Sequence, residues 1–451
     1  MERNLTEGNV LKNITFFALP YLLSYFLQTL YGMADLFIIG QFNGVDGITA
    51  VSNGSQVMHM HMLTVIIVGL AMGTTVLIGK AIGARNQKTA SMAIGNTVTL
   101  FMGLSLVSTI LLVLSVNGLV QLIGIPSEAI EGTTQYLFIC FIGIPFITAY
   151  NIISSIYRGL GDSKSPMYFI AIACVANIVL DYLFMGSFHL GPIGAAFATT
   201  LAQTLSVVIA LIAMKRKETH ITLCKENFIP HKEVMSEILK VGIPVAVQDG
   251  CIQVAFIVIT VIANHRGLND AAAVGIVEKI ISALFIVPSS MLATVSAMAA
   301  QNIGANQHQR AKETLFYAMG ITTVYGIIVT IIMQLTVHNV LSLFTSDTTV
   351  VLLGCQYMRG YIWDCIFAGI HFCFSGYFCA YGKSYIGFIH NMIAILTMRI
   401  PGSYLAYLYF PQTLFPMGLA APMGSLLSVI ICFIAYLWLK KHQKLGIVYE
   451  K

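Results

Sequence analysis

The sequence predicts an all-α polytopic membrane protein, with twelve transmembrane helices in two six-helix, pseudo-symmetric lobes arranged as parallel repeats. Three observations predict it. Hydrophobic residues make up 57% of the chain and charged ones only 10%, against the roughly 25% charged of a soluble domain. Apolar runs of about 18 residues or more, each long enough to cross a bilayer as a helix, recur from end to end. Short motifs of the first half return in the second at a nearly constant offset. A soluble core of this length is excluded.

In order, the expected spans cover residues 14–40, 48–79, 92–115, 132–158, 167–188, 192–214, 237–264, 271–300, 313–338, 353–379, 386–410 and 416–439. Some exceed the ~20 residues a bilayer needs, so they must tilt, kink or protrude. The first has no small-residue cleavage site behind it and reads as a spanning helix, not a cleaved signal peptide. Twenty Lys and Arg residues fall at the ends and loops of one side, and only Arg266 on the other. By the positive-inside rule both termini are expected in the cytoplasm of a multi-pass plasma-membrane protein.

The one long polar connection, Lys215–Leu239, has mixed charge and reads as a cytoplasmic linker with a short amphipathic piece. The expected organisation is therefore an N-terminal lobe over 1–214, a linker over 215–236, a C-terminal lobe over 237–439 and a tail over 440–451. The repeat itself is explicit. AIGARNQKTA (81–90) returns as NIGANQHQRA (302–311), GVDGITAV (44–51) as GLNDAAAV (267–274), Pro20 as Pro244 and Gly194 as Gly418. Six spans per repeat is an even number, so both halves share one orientation, as in transporters whose cavity lies between two lobes. The nine cysteines are odd in number, sit mostly in apolar runs and form no CxxC pair, so neither a disulfide framework nor a metal site is expected.

Function is carried by the few polar residues in the spans. The stretch AIACVANIVLDYLFM (171–185) holds Asp181, with Asn177 one turn earlier on the same face. An ionisable residue at helix centre costs about 2.5–3.5 kcal/mol on insertion scales and marks an ion, a proton or a partner. Counted from the outer helix ends at 1.5 Å per residue, Asp35, Asp181 and Thr199 fall at one depth. Two carboxylates, an amide and a hydroxyl at common depth can form an oxygen cage for Na⁺, or a carboxyl pair sharing one proton, since adjacent negative charges repel. Pro20, on the span that carries Asp35, removes a backbone hydrogen bond and supplies a hinge. The second half holds Asp249, Glu278, Lys279, Arg359, Asp364 and Arg399, while repeat matching puts Ile259 opposite Asp35 and Gly402 opposite Asp181. Glu278 and Asp364, with Asp249, could hold a cationic substrate or a second coupling ion. Equally, they could form structural ion pairs with Lys279, Arg359 or Arg399. His59, His61, His371 and His390 share no motif and read as packing or lining residues.

No phosphate loop, HExxH or nucleophile elbow is present, and nothing points to a nucleic acid. Without an ATPase domain, uphill transport would draw on an ion gradient and need no cofactor beyond Na⁺ or H⁺.

The stretches QTLYGMADLFIIG (28–40), GKAIGARN (79–86), YRGLGDSKSP (157–166), NIVLDYLF (177–184), AAAVGIVEKI (271–280), QNIGAN (301–306), YGKS (381–384) and RIP (399–401) together resemble the multidrug and toxic compound extrusion (MATE) transporters. The resemblance covers essentially the whole chain. It implies two six-helix lobes facing each other in a V, and export of amphipathic organic cations by a monomer in exchange for Na⁺ or H⁺. It implies an N-lobe cation site at Asp35, Asn177, Asp181 and Thr199, and a bending proline at Pro20. Asp364 is similar to a C-lobe acid of one branch, whose helix-7 glutamate has no counterpart here, Asp249 lying nearest. A lipid-linked oligosaccharide flippase of the same superfamily is the alternative, but it would be expected to carry a basic cavity. An intramembrane enzyme or receptor fits less well, since that reading predicts catalytic His or Ser clusters and a receptor would not need a twofold repeat.

Overall fold

The computed structural model describes residues 4–60, 63–123, 125, 127–216 and 223–442. His61, residues 217–222 of the expected linker and residues 443–451 of the expected tail lie outside the described residues. Among the described residues there is no strand. The first half comprises α1 (Val10–Phe42), α2 (Val45–Met60), α3 (Leu63–Gly83), α4 (Gln87–Ile123), α5 (Ser127–Ile142), α6 (Ile144–Gly159), α7 (Lys164–Asp181) and α8 (Gly191–Arg216). The second comprises α9 (Lys232–Arg266), α10 (Leu268–Leu284), α11 (Ile286–Gly304), α12 (His308–Ser342), α13 (Thr348–Tyr361), α14 (Asp364–Ala380), α15 (Ser384–Ala394), α16 (Ile400–Tyr409) and α17 (Phe415–Lys441). Helix occupies each of the twelve expected spans, several of them as two pieces. Among the described residues, eight helices are long and apolar enough to cross a membrane, or ten if each bent pair counts as one span. Leu, Ile, Val and Phe side chains project outward along most of them, as lipid requires.

The repeat is written in the breaks as well as in the sequence. The fourth span of each half bends: α5 and α6 meet at 47°, α13 and α14 at 42°. The fifth span of each half contains a π-helical turn, Tyr182–Ser187 after α7 and Ile395–Arg399 after α15. Two connections at the end of the bundle rich in Lys and Arg close identically in both halves. Arg85 (φ 54°) and Asn306 (φ 59°) end α3 and α11 in left-handed conformation. Asn86 then donates to the Ala81 carbonyl, and Gln307 to that of Asn302. Gly161 and Gly382 take the same role after α6 and α14, with Asp162 donating to Tyr157 and Lys383 to Phe378. All four are helix C-caps of the six-to-one type. Asp162 opens the next helix, its carboxylate accepting from the backbone of Lys164 and Ser165 and from the Ser165 hydroxyl.

The chain forms two compact units, one over Phe16–Gly242 and the other over Leu5–Thr15 with Ile243 onward. The changeovers fall inside α1 and α9, each within a turn or so of the proline inside that helix, Pro20 or Pro244. In the first unit the start of α9 lies so close to α3 that a Cβ on Gly73 would stand 2.2 Å from the Ile238 carbonyl oxygen. The segment before α9 is pinned there too: Asn96 donates to the Asn227 carbonyl and accepts from the His231 backbone, and Thr99 donates to the Phe228 carbonyl. In the second unit the segment before α1 is held by Arg310, whose guanidinium donates to the carbonyls of Leu5, Glu7 and Gly8.

The core of the first unit is built from Ile38, Ile39, Val51, Tyr136, Cys140, Met185, Ala195 and Ala196 around the polar residues considered next, with Phe101, Ile78 and Ile156 packing nearer the basic end. In the second unit Val274, Val277, Tyr357, Met358, Tyr361, Cys365 and Met417 form the core. Arg266 pairs with Asp270 at 2.9 Å and donates to the carbonyls of Phe410, Pro411 and Thr413, tying the α9–α10 and α16–α17 connections of that unit together.

Candidate functional site

Asp35 sits two turns before the end of α1 and is 4% exposed, among Ile38 and Ile39. Thr199 on α8 donates to its Oδ2 at 3.1 Å. Asn177 and Asp181, both fully buried, occupy the last turn of α7, and the π-helical turn begins at the next residue. Such turns concentrate at functional positions because they break the regular hydrogen-bond ladder. Asn177, Asp181 and Thr199 all lie close enough to interact with the Asp35 carboxylate. The structure therefore brings the four residues together on α1, α7 and α8.

Among the described residues, no cationic side chain stands beside them. Asp35 Oδ1, both Asp181 oxygens and both Asn177 amide atoms are buried without a hydrogen-bond partner. Two adjacent carboxylates have no hydrogen to share, so their approach is favourable only with a proton or a cation between them. Buried unpaired charge of this kind is what a site awaiting an ion presents. The available donors to a cation are all oxygens, the chemistry that suits a hard monovalent ion.

A second layer was not singled out from the sequence. Gln203 donates to the Tyr31 hydroxyl at 3.5 Å, and Tyr31 and Tyr136 are both within electrostatic range of Asp35. The signal was present: Tyr31 lies four residues before Asp35 and Gln203 four after Thr199, so two antiparallel helices place them as a second rung. Ser55 on α2 holds the Tyr136 hydroxyl at 3.2 Å.

In the second unit, Asp364 opens α14 and is fully buried, with Arg399 Nη2 at 3.5 Å from its Oδ2. The same nitrogen donates to Ser425 on α17 at 2.8 Å. Lys279 and Arg359 are exposed, so of the three candidate partners it is Arg399 that pairs. Glu278 on α10 is half-buried beside Thr260. Tyr357 and Tyr361 on α13 feel Glu278, Asp364 and Arg399 alike, so these groups form one cluster. Asp249 does not belong to it. It lies near Cys379, fifteen residues along α14 from Asp364, about 22 Å at 1.5 Å per residue. Pro20 stands inside α1, its carbonyl accepting from Ser24 at 2.9 Å. The next residue, Tyr21, receives the Arg158 guanidinium on its hydroxyl at 2.6 Å and over its ring at 4.9 Å. Among the described residues, no three His, Cys, Asp or Glu side chains converge as ligands for a metal ion.

The family model MatE matches residues 20–183 and again 244–405, so one model covers both repeats and each match begins at the proline of the first helix. Among curated proteins, the probable multidrug resistance protein YpnP of Bacillus subtilis (strain 168) is 30% identical over 436 residues, 96% of either chain. YoeA of the same organism, also described as a probable multidrug resistance protein, is 26% identical over 446 residues, 97% of this chain and 96% of its own. Among solved structures, a MATE protein in a bent conformation superposes with a TM-score of 0.90 at 22% identity, covering 97% of this chain and 96% of that one. A MOP superfamily transporter from Pyrococcus furiosus, described as having a binding pocket of reverse polarity, gives the same score and identity over 99% and 98%. At that identity the likeness is one of fold.

Proposed function

The chain belongs to the MATE family of multidrug transporters, not to an enzyme family, and from that premise we propose that it exports amphipathic organic cations in exchange for Na⁺ or H⁺ by alternating access. Asp35, Asn177, Asp181 and Thr199 are the cation site in this reading, and Pro20 the hinge of the helix that carries it. The observation that carries the proposal is the pair of buried, facing carboxylates with three unpartnered oxygens and, among the described residues, no cationic side chain beside them. A proton or Na⁺ satisfies that arrangement, and loss of either restores the repulsion. Binding and release at one site are thereby coupled to a large electrostatic change, as an exchanger requires.

The orientation follows from the Lys and Arg distribution: the basic end of the bundle faces the cytoplasm, with both termini on that side of the plasma membrane. Helices 1–6 over residues 1–214 and helices 7–12 over residues 237–439 are the two lobes, and the protein acts as a monomer in contact with lipid. The drug is drawn to apolar, Met- and Phe-rich walls, which adapt to many shapes. The test is efflux of a fluorescent lipophilic cation such as ethidium by Asp35→Asn at matched membrane level. Abolished efflux supports the reading, and wild-type efflux contradicts it.

A further inference from the structure

Two histidines that share no motif meet in the second unit. His371 on α14 and His390 on α15 stand edge to face with ring centroids 5.4 Å apart, one 2% exposed and the other fully buried. Neither nitrogen of His371 has a hydrogen-bond partner, nor does Nδ1 of His390, while His390 Nε2 meets the Ser375 hydroxyl at 3.0 Å. Asp364, His371 and Ser375 fall on one face of α14, at i, i+7 and i+11, a column about 16 Å long. Its lower end reaches within about 8 Å of the end of α14, beside the Lys383 connection. Gln248 lies there too: it and Ser375 close over Gly387, where a Cβ would stand 3.0 and 3.4 Å from their oxygens.

The upper end is Arg399. In an unbroken α-helix, at about 100° per residue, it would lie opposite His390, nine positions earlier. The π-helical turn Ile395–Arg399 takes up extra chain between them and brings the guanidinium round to the same side, within electrostatic range of both rings. Ser425, which holds Arg399, and Ser428, which donates to the His390 carbonyl at 3.4 Å, are one turn apart on α17. The titratable groups facing this column are Asp364, Cys365 and His371 of α14, His390 and Arg399, Tyr357 and Tyr361 of α13, and Glu278 of α10, with Asp249 of α9 beside Cys379 beyond its lower end. Cys373 bonds away, to Thr322 of α12.

We propose that Ser375, His390, His371 and Asp364 form a proton path from the cytoplasmic end of the second unit to the Asp364–Arg399 pair. Chains of acids and histidines with free nitrogens are the usual means of moving protons inside a bilayer. A proton entering past Ser375 adds to the free lone pair of one imidazole. An N–H proton leaves the other ring and, handed on by water over the two turns of α14 (about 10 Å) between His371 and Asp364, ends on the Asp364 carboxylate, one proton entering and one O–H bond formed. Neutral Asp364 no longer pairs with Arg399, which keeps Ser425 as its acceptor. Protonation from the cytoplasm thus unlocks the contact between α14 and the fifth span of that half.

This rests on the ion-coupled reading above, and the experiment separates the two. Purified protein in liposomes carries out exchange of tetraphenylphosphonium under an imposed pH gradient, without Na⁺. His371→Gln and His390→Gln should lower the rate by about a hundred- to ten-thousandfold, the range a positioned proton-transfer group commonly supplies. Equilibrium binding of tetraphenylphosphonium should stay within twofold of wild type. Ser375→Ala, a milder change at the mouth, should slow exchange in the same direction and raise the solvent deuterium isotope effect. Wild-type rates in all three variants overturn the path and leave the antiport reading standing. Parallel loss of binding and exchange overturns it as well, marking the histidines as packing residues. A wild-type protein that ignores the pH gradient overturns the path and leaves Na⁺-driven exchange as the form of the antiport reading that stands.

Discussion

Asn177 and Thr199 decide between the two coupling ions, because they offer oxygens but do not titrate. If the site holds Na⁺, Asn177→Ala and Thr199→Val each remove a ligand and should cripple Na⁺-driven efflux. If it holds a proton, the carboxylates do the work and the same changes should only move the pH optimum. Efflux against pH, with and without Na⁺, reads out the difference. Wild-type behaviour of both variants in every condition would leave Asp35 and Asp181 alone in the site. At this scale the primary residues were legible, since an acid in an apolar helix stands out and common depth links the helices. Tyr31, Gln203 and Tyr136 were not, because tyrosine and glutamine are ordinary at lipid interfaces and in packed helices. Nor were His371 and His390, whose meeting depends on how α14 and α15 pack. The partner of Asp364 was legible only as a choice of three. Arg399 takes that place because Lys279 and Arg359 turn outward.

The segment just before α1 is held by Arg310 in one unit, and Tyr21, just after Pro20, by Arg158 in the other. A helix anchored on both sides of a missing backbone hydrogen bond bends at that bond. Pro20→Ala should therefore slow transport several-fold without weakening cation binding, measured as initial efflux rate against Na⁺ or proton affinity. A normal rate would remove the bend from the mechanism. The proline inside α9, Pro244, stands in the same relation to its changeover, and Pro244→Ala should slow transport similarly. Gly73→Val tests packing instead. Its side chain would collide with the Ile238 carbonyl, and lower thermal stability of the purified protein is expected, by about 1–3 kcal/mol. The prolines and repeat motifs were readable in sequence. The bend between α13 and α14 and the π-helical turns were not, since tertiary packing sets them, whereas Gly143 and Pro145 stand at the α5–α6 bend and could have announced it.

As a whole, the molecule repeats its backbone but not its charges. Caps, bends and π-helical turns recur in both halves, whereas among the described residues Asp35 and Asp181 of the first unit face no cation and Asp364 of the second is paired with Arg399. The long apolar helices and the two repeats could be read from hydropathy and motif spacing, because lipid imposes long apolar helices and the repeat kept its turns. The division of labour between the halves could not, because it depends on which buried side chains meet. The central claim is that the facing carboxylates of the first unit couple drug export to an ion. The most direct measurement is drug uptake into inverted membrane vesicles under separately imposed Na⁺ and H⁺ gradients, comparing the wild type with Asp35→Asn. Uptake driven by at least one gradient in the wild type, and by neither in the variant, is the predicted result. Uptake by the wild type that responds to neither gradient would contradict it.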